Sequence, residues 1–166
     1  MRGLVNQDKE SEDINRKVQA RAFENLKRHL GDIPSILYYN APLKDRRTGV
    51  TRIADMVWIH PHAGILVIEV KAWDYYYLAN CKIGDDGNIY LNGKNERNPV
   101  KQAIAYRNII LDLIKGSNYP VSYVVYFPNL TREEFRNLPE DIKHFIPEEE
   151  CIFRGDRNVE DLYLQL

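Results

Sequence analysis

Two apolar runs, residues 53–59 and 65–70, stand on either side of His60-Pro61-His62-Ala63-Gly64. Proline and glycine break both runs, so the stretch reads as a strand, a turn and a returning strand. A strand sends alternate side chains to opposite faces, so Glu69 and Lys71 share one face. If the hairpin is symmetric about His62, Asp55 on the first strand lies directly across from Glu69. Their Cβ atoms would then be about 4.5–5.5 Å apart. A slip of one residue would turn Asp55 to the other face.

Two carboxylates that close repel, and each resists ionising without a partner. A divalent cation between them relieves this, and all-oxygen ligation suits Mg²⁺ or Mn²⁺. Lys71 on the same face can hold a phosphate oxygen or the attacking water. Together the three groups suit metal-assisted phosphodiester hydrolysis. The plainer alternative is a sheet hairpin whose acid–lysine pair is only a salt bridge.

Asp55 followed by Glu69-Val70-Lys71 resembles the D…ExK core of the PD-(D/E)XK nuclease superfamily. Ala54-Asp55, Val57 and the run from Gly64 to Lys71 resemble more narrowly the nuclease-related domain (NERD) family. So does Asn98-Pro99-Val100-Lys101-Gln102-Ala103, and Gln102 with Tyr106 matches a Q-x-x-x-Y helix motif found in one branch of the superfamily. The resemblance spans roughly residues 15–130. It implies a restriction-endonuclease-like α/β core: a mixed central sheet flanked by helices, in the order α-β-β-β-(β-hairpin)-α-β. It also implies a Mg²⁺- or Mn²⁺-dependent nuclease, with Asp55, Glu69, Lys71 and Gln102 as catalytic residues. Asp55, Glu69, the Val70 carbonyl and a first-helix carboxylate would hold the metal. Glu24 is the first choice for that carboxylate, with Gln19 near it. The substrate would be DNA or another nucleic acid such as RNA. Because the family often accompanies helicase or signalling modules, a fused or partner helicase is a further expectation. A binding or docking module that keeps the fold without turnover is the alternative.

A chain of 166 residues is expected to form one domain, with a motif core at about residues 12–128 and small trailing elements at 129–166. Net charge is −1 and the pI about 6.4, so there is no global basic field. Nucleic acid would have to meet a local patch. Arg46, Arg47 and Arg52 beside the Asp55 strand, with Tyr106, supply the candidates. Cys81 and Cys151 stand alone, without zinc spacing, which suggests a reducing compartment. With no secretion-type leader and no run long enough to span a bilayer, the expectation is a cytoplasmic protein without membrane contact.

Along the chain, apolar spacing predicts a helix from Ser11 or Glu12 to Leu30, its stripe built of Ile14, Val18, Ala22, Leu26 and Leu30. Residues 1–11 read as frayed. Residues 33–43 predict a strand ended by Pro42. The aromatic run at 73–83, with Tyr75, Tyr76 and Tyr77, predicts a strand leading through Asp86-Gly87 into an inserted hairpin. Its tyrosines could stack bases or mediate a homodimer, although packing is the simpler use. His60 and His62 are expected to be exposed turn residues. Residues 94–97 read as a polar loop. Asn98-Pro99 opens a helix that runs to Gly116. Residues 121–127 form a buried strand, and Thr131 with Glu134 a capping box. Short elements at 141–145 and 151–153 and a helix at 159–166 complete the reading.

Overall fold

A computed structural model describes residues 2–156 apart from Asn92, with side chains described from Glu12 onward. It opens on helix α1 (Arg2–His29) and strands β1 (Ile36–Lys44), β2 (Thr51–His60) and β3 (Gly64–Val70). Next come helix α2 (Tyr75–Ala79) and the short strands β4 (Lys82–Ile83), β5 (Ile89–Leu91) and β6 (Lys94–Glu96). Helix α3 (Pro99–Leu113), strand β7 (Val121–Phe127), helices α4 (Arg132–Arg136) and α5 (Glu140–Phe145), a 3-10 turn (Glu148–Glu150) and strand β8 (Cys151–Phe153) follow.

The main sheet has the order β1-β2-β3-β7-β8, antiparallel from β1 to β3 and parallel from β3 to β8. Helix α3 lies on the crossover that makes β3 and β7 parallel, as such a connection requires. The mixed sheet and element order are those anticipated from sequence. So is the hairpin register: Met56 lies opposite Ile68 and His60 opposite Gly64, symmetric about His62.

Each face of the sheet carries its own core. Leu66, Ile68 and Val70 of β3 pack with Ala22 and Leu26 of α1 and with Leu30 just past its end. Ile65 and Val67 pack with Ile109 and Ile110 of α3. Glu69 belongs by alternation to the α3 face. The alternation of β1 reverses at Asn40. Leu37 and Tyr39 pack on the α1 side, whereas Ala41 and Leu43 join the α3 side. Asn40 makes the switch in the left-handed region, at φ 52°, which asparagine tolerates better than most residues. Past this point the β1–β2 arm leans on Ile109 and Ile110.

Several elements depart from the sequence reading. Helix α1 begins at Arg2, because the polar lead is rich in good helix formers. Its stripe is buried from Ala22 onward, but Ile14 is 58% exposed where the helix runs past the sheet. Pro42 sits inside β1 rather than ending it, tolerated because β1 is an edge strand. The tyrosine run is a helical turn, not a strand. Asp74 accepts from the Tyr77 N–H at 2.8 Å and caps it, and Leu78 anchors it in the core. The inserted β4–β5 hairpin is present and leaves the main sheet. It is joined by β6 from the stretch read as a loop, giving a separate three-stranded sheet. The helix expected at 159–166 lies outside the described residues. Among the described residues no helix is long and apolar enough to cross a membrane.

Asn98 caps α3 as its sequence predicts, its Oδ1 accepting from the Val100 N–H at 2.8 Å and the Lys101 N–H at 3.3 Å. Asn98→Ala is expected to cost about 1 kcal/mol, read as a lower midpoint in denaturant with unchanged slope. An unchanged midpoint would mean that the cap does not hold this helix.

Candidate active site

Four elements meet at the carboxyl ends of β3 and β7: β2, β3, α1 and α3. The β2–β3 ladder runs to the pair Met56–Ile68, one step short of Asp55 and Glu69. There the Asp55 carboxylate replaces the backbone as acceptor: Oδ2 takes the Val70 N–H at 2.8 Å. Its other oxygen takes a hydrogen bond from Gln19 Nε2 at 3.0 Å. The acid is thus tied to β3 by one oxygen and to α1 by the other. Lys71 extends β3 by donating its backbone N–H to the Tyr126 carbonyl at 3.0 Å. Its Nζ lies 3.0 Å from Glu69 Oε1.

Burial dominates the electrostatics. Glu69 is 3% exposed. Burial first, and then the Asp55 charge, push its carboxyl up to about 7, against the pull of Lys71. Asp55 is also raised, by burial, although the Val70 N–H and Lys71 pull the other way. A single lysine therefore does not compensate a buried acid and a half-buried one. Tyr106 lies in the same field. Burial, then Glu69, then Asp55 raise its phenol, and Arg52 and Arg97 oppose the shift. Gln102, one turn before Tyr106 on α3, has a buried Oε1 without a hydrogen-bond partner.

The structure thus brings together Asp55, Glu69, Val70 and Lys71, with Tyr106 and Arg52 in their field. Glu24 is not among them. It is exposed, and five positions past Gln19 it lies about 140° further round the helix. Gln19, the second choice from sequence, is an α1 residue in contact. Arg47 is engaged elsewhere, 3.1 Å from Asp112 Oδ2 and 3.8 Å from Asp45 Oδ1, because the β1–β2 arm leans over α3. Arg46 is exposed on the same turn. His60 is half-buried rather than exposed. Its Nδ1 accepts from the His62 and Ala63 N–H groups, and its carbonyl accepts from the Tyr119 hydroxyl. It is turn scaffolding. Arg97 was not anticipated. Its only sequence signal is a cation directly before the Asn98 cap.

Among the described residues, no cluster of three His, Cys, Asp or Glu side chains is placed to hold a metal. A hard divalent ion does not need one, since Mg²⁺ is commonly held by one or two carboxylates together with waters and substrate phosphates. Two under-compensated carboxylates fit such an ion.

Glu69 gives the fold a pH dependence. In the native state its carboxyl keeps its proton to about pH 7, against an ordinary value of 4.5. Between those values the folded chain binds more proton than the unfolded one, so stability falls as pH rises through the window and levels off above it. The raised Asp55 acts in the same direction. In EDTA-containing buffer, Glu69→Gln is expected to flatten the slope of unfolding free energy against pH between about 4.5 and 7. An unchanged slope would refute the assignment.

A family model described as a nuclease-related domain matches residues 14–128. Among solved structures, the chain is similar to the crystal structure of a repair endonuclease from Pyrococcus abyssi, at 18% identity and a TM-score of 0.40. That match covers 84% of this chain and 45% of the other. No curated protein matches the chain.

Proposed function

We propose that this chain, which belongs to the nuclease-related domain family, hydrolyses phosphodiester bonds of nucleic acid, DNA above all, with a divalent cation. The observation that carries this is the convergence of Asp55, Glu69 and Lys71 at one sheet end, with both acids held off their ordinary ionisation. Asp55 and Glu69, with the Val70 carbonyl, would hold Mg²⁺ or Mn²⁺. When bound, such an ion polarises the phosphoryl oxygen and lowers the pKa of a coordinated water.

The chain's own groups take the remaining tasks. Lys71 Nζ, held in place by Glu69, faces the negative charge that builds on the phosphoryl oxygens. Fixed donors aimed at developing charge are effective because they need no reorganisation during the reaction. Gln102 Oε1 is an acceptor in want of a donor, which suits it to orient a water. Tyr106 stays protonated under the field of the acids and donates its hydroxyl. Arg52 and Arg97 meet flanking phosphates. Gln19 fixes the Asp55 carboxylate from behind without adding charge.

Labelled single- and double-stranded DNA, incubated with Mg²⁺, Mn²⁺ or EDTA, tests the proposal. Cleavage should need the metal and be nearly abolished in Glu69→Gln. It should fall about 10²–10³-fold in Lys71→Met, the cost of removing one fixed charge-stabilising donor. Full activity in a folded Glu69→Gln protein would refute the centre. A folded wild type that neither cleaves nor binds metal would favour a docking module instead.

A further inference from the structure

Beyond Lys71 the chain passes Ala72 into Trp73, Asp74 and α2, and there it borders a cleft of about 260 Å³. One wall is aromatic. The rings of Trp73 and Tyr77 stack with centroids 5.3 Å apart and planes 17° from parallel, and Tyr77 is the more exposed of the two. The other wall is α1, where Ile14 and Asn15 line the cleft. Ile14 is the apolar residue of the helix stripe that the core leaves exposed. At the rim, β6 contributes Lys94 and Glu96, and Asp74 adds a second carboxylate. Ala72 and Trp73 connect the cleft to the acid centre: Ala72 follows Lys71 in the chain, and Lys71 Nζ lies 5.6 Å from the Trp73 ring centroid.

A flat aromatic wall, an apolar residue facing it and acceptors at the rim form a recognisable combination. It suits a planar heterocycle that carries amino groups. The two rim carboxylates disfavour a phosphate inside the cleft, yet they can accept from exocyclic amines of a base. Trp73 is buried, so the ring offered to a base is that of Tyr77, stacked on it and one ring removed from the Lys71–Trp73 contact. We infer that the cleft receives the nucleobase next to the scissile phosphate, so that the centre acts on single-stranded or frayed nucleic acid. This rests on the phosphodiesterase reading and gives it a substrate class. A base stacked and paired in a duplex cannot enter unless it is extruded, at a cost in unstacking and unpairing. Stacking tolerates any sequence, because every base offers a π-face.

The test reads binding as well as turnover. A single-stranded DNA decamer carrying 2-aminopurine at alternate positions should lose fluorescence on binding as its bases stack. A decamer of abasic spacers, with the same phosphates and no bases, should bind about 5- to 150-fold more weakly, the span expected for one stacked base. Tyr77→Leu removes the ring while keeping bulk, and Asn15→Leu narrows the cleft from an exposed helix position. Both should abolish the fluorescence change, and Asn15→Leu, from its exposed position, should do so while melting at the wild-type temperature. Cleavage should favour the single strand over the duplex. Equal binding of base-bearing and abasic decamers, or fluorescence loss unaltered in both variants, would overturn the inference. Fluorescence loss without any cleavage would support the base site and count against the phosphodiesterase reading alone.

Discussion

The hydrogen bond from the Val70 N–H to the Asp55 carboxylate, 2.8 Å long, is the point on which the candidate site depends. It forms where the β2–β3 ladder ends, so it can exist in only one register of that hairpin. A slip of one residue would send Glu69 to the α1 face and bury Ile68 or Val70 in its place beneath α3. Because β3 is apolar on both faces apart from Glu69, what opposes that slip is the transfer of this carboxyl into the apolar packing beneath α1. The precision of the acid pair is thus inherited from the cores above and below the sheet. Gln19 adds a second tether, joining the same carboxylate to the helix that covers one of those cores.

Holding two acids in this way works against stability. Burial penalises both charges, and Lys71 offsets only part of the penalty. Such under-compensation is common where a site must receive a cation or a developing charge, and rarer in a structural ion pair. The contrast with Arg132 is instructive. It binds Glu148 at 2.9 Å and Asp156 at 2.8 Å, and Arg136 joins it on Glu148. There the cations hold the Glu148 carboxyl below its ordinary value. That network braces α4 against the 3-10 turn and the chain after β8. The Asp55–Glu69 pair has no such balance and is the feature of the structure that most calls for a ligand.

Much of this was legible in the sequence, for local reasons. The hairpin register follows from two apolar runs and a compact turn between them. The start of α3 follows from Asn98-Pro99, and the Thr131–Glu134 capping box from its four-residue pattern. What was missed depends on distant partners or on a competing local signal. The tyrosines of α2 have strand propensity, but the Asp74 cap and the burial of Leu78 override it. Arg47 looked available because its partner Asp112 sits on α3, far away in sequence. Glu24 had the right chemistry on the wrong side of its helix, whereas Gln19 lay on the correct side with a less obvious chemistry. The face reversal at Asn40 had no sequence signal beyond the asparagine itself.

The central claim is that Asp55 and Glu69 form one cation-binding centre. Calorimetric titration of the protein with Mn²⁺ at pH 7, repeated in buffers of different ionisation enthalpy, tests it most directly. With the Glu69 carboxyl raised to about 7, binding should release protons. Glu69→Gln should remove the proton release and weaken binding sharply. Binding without proton release, or binding of equal strength in Glu69→Gln, would contradict the account.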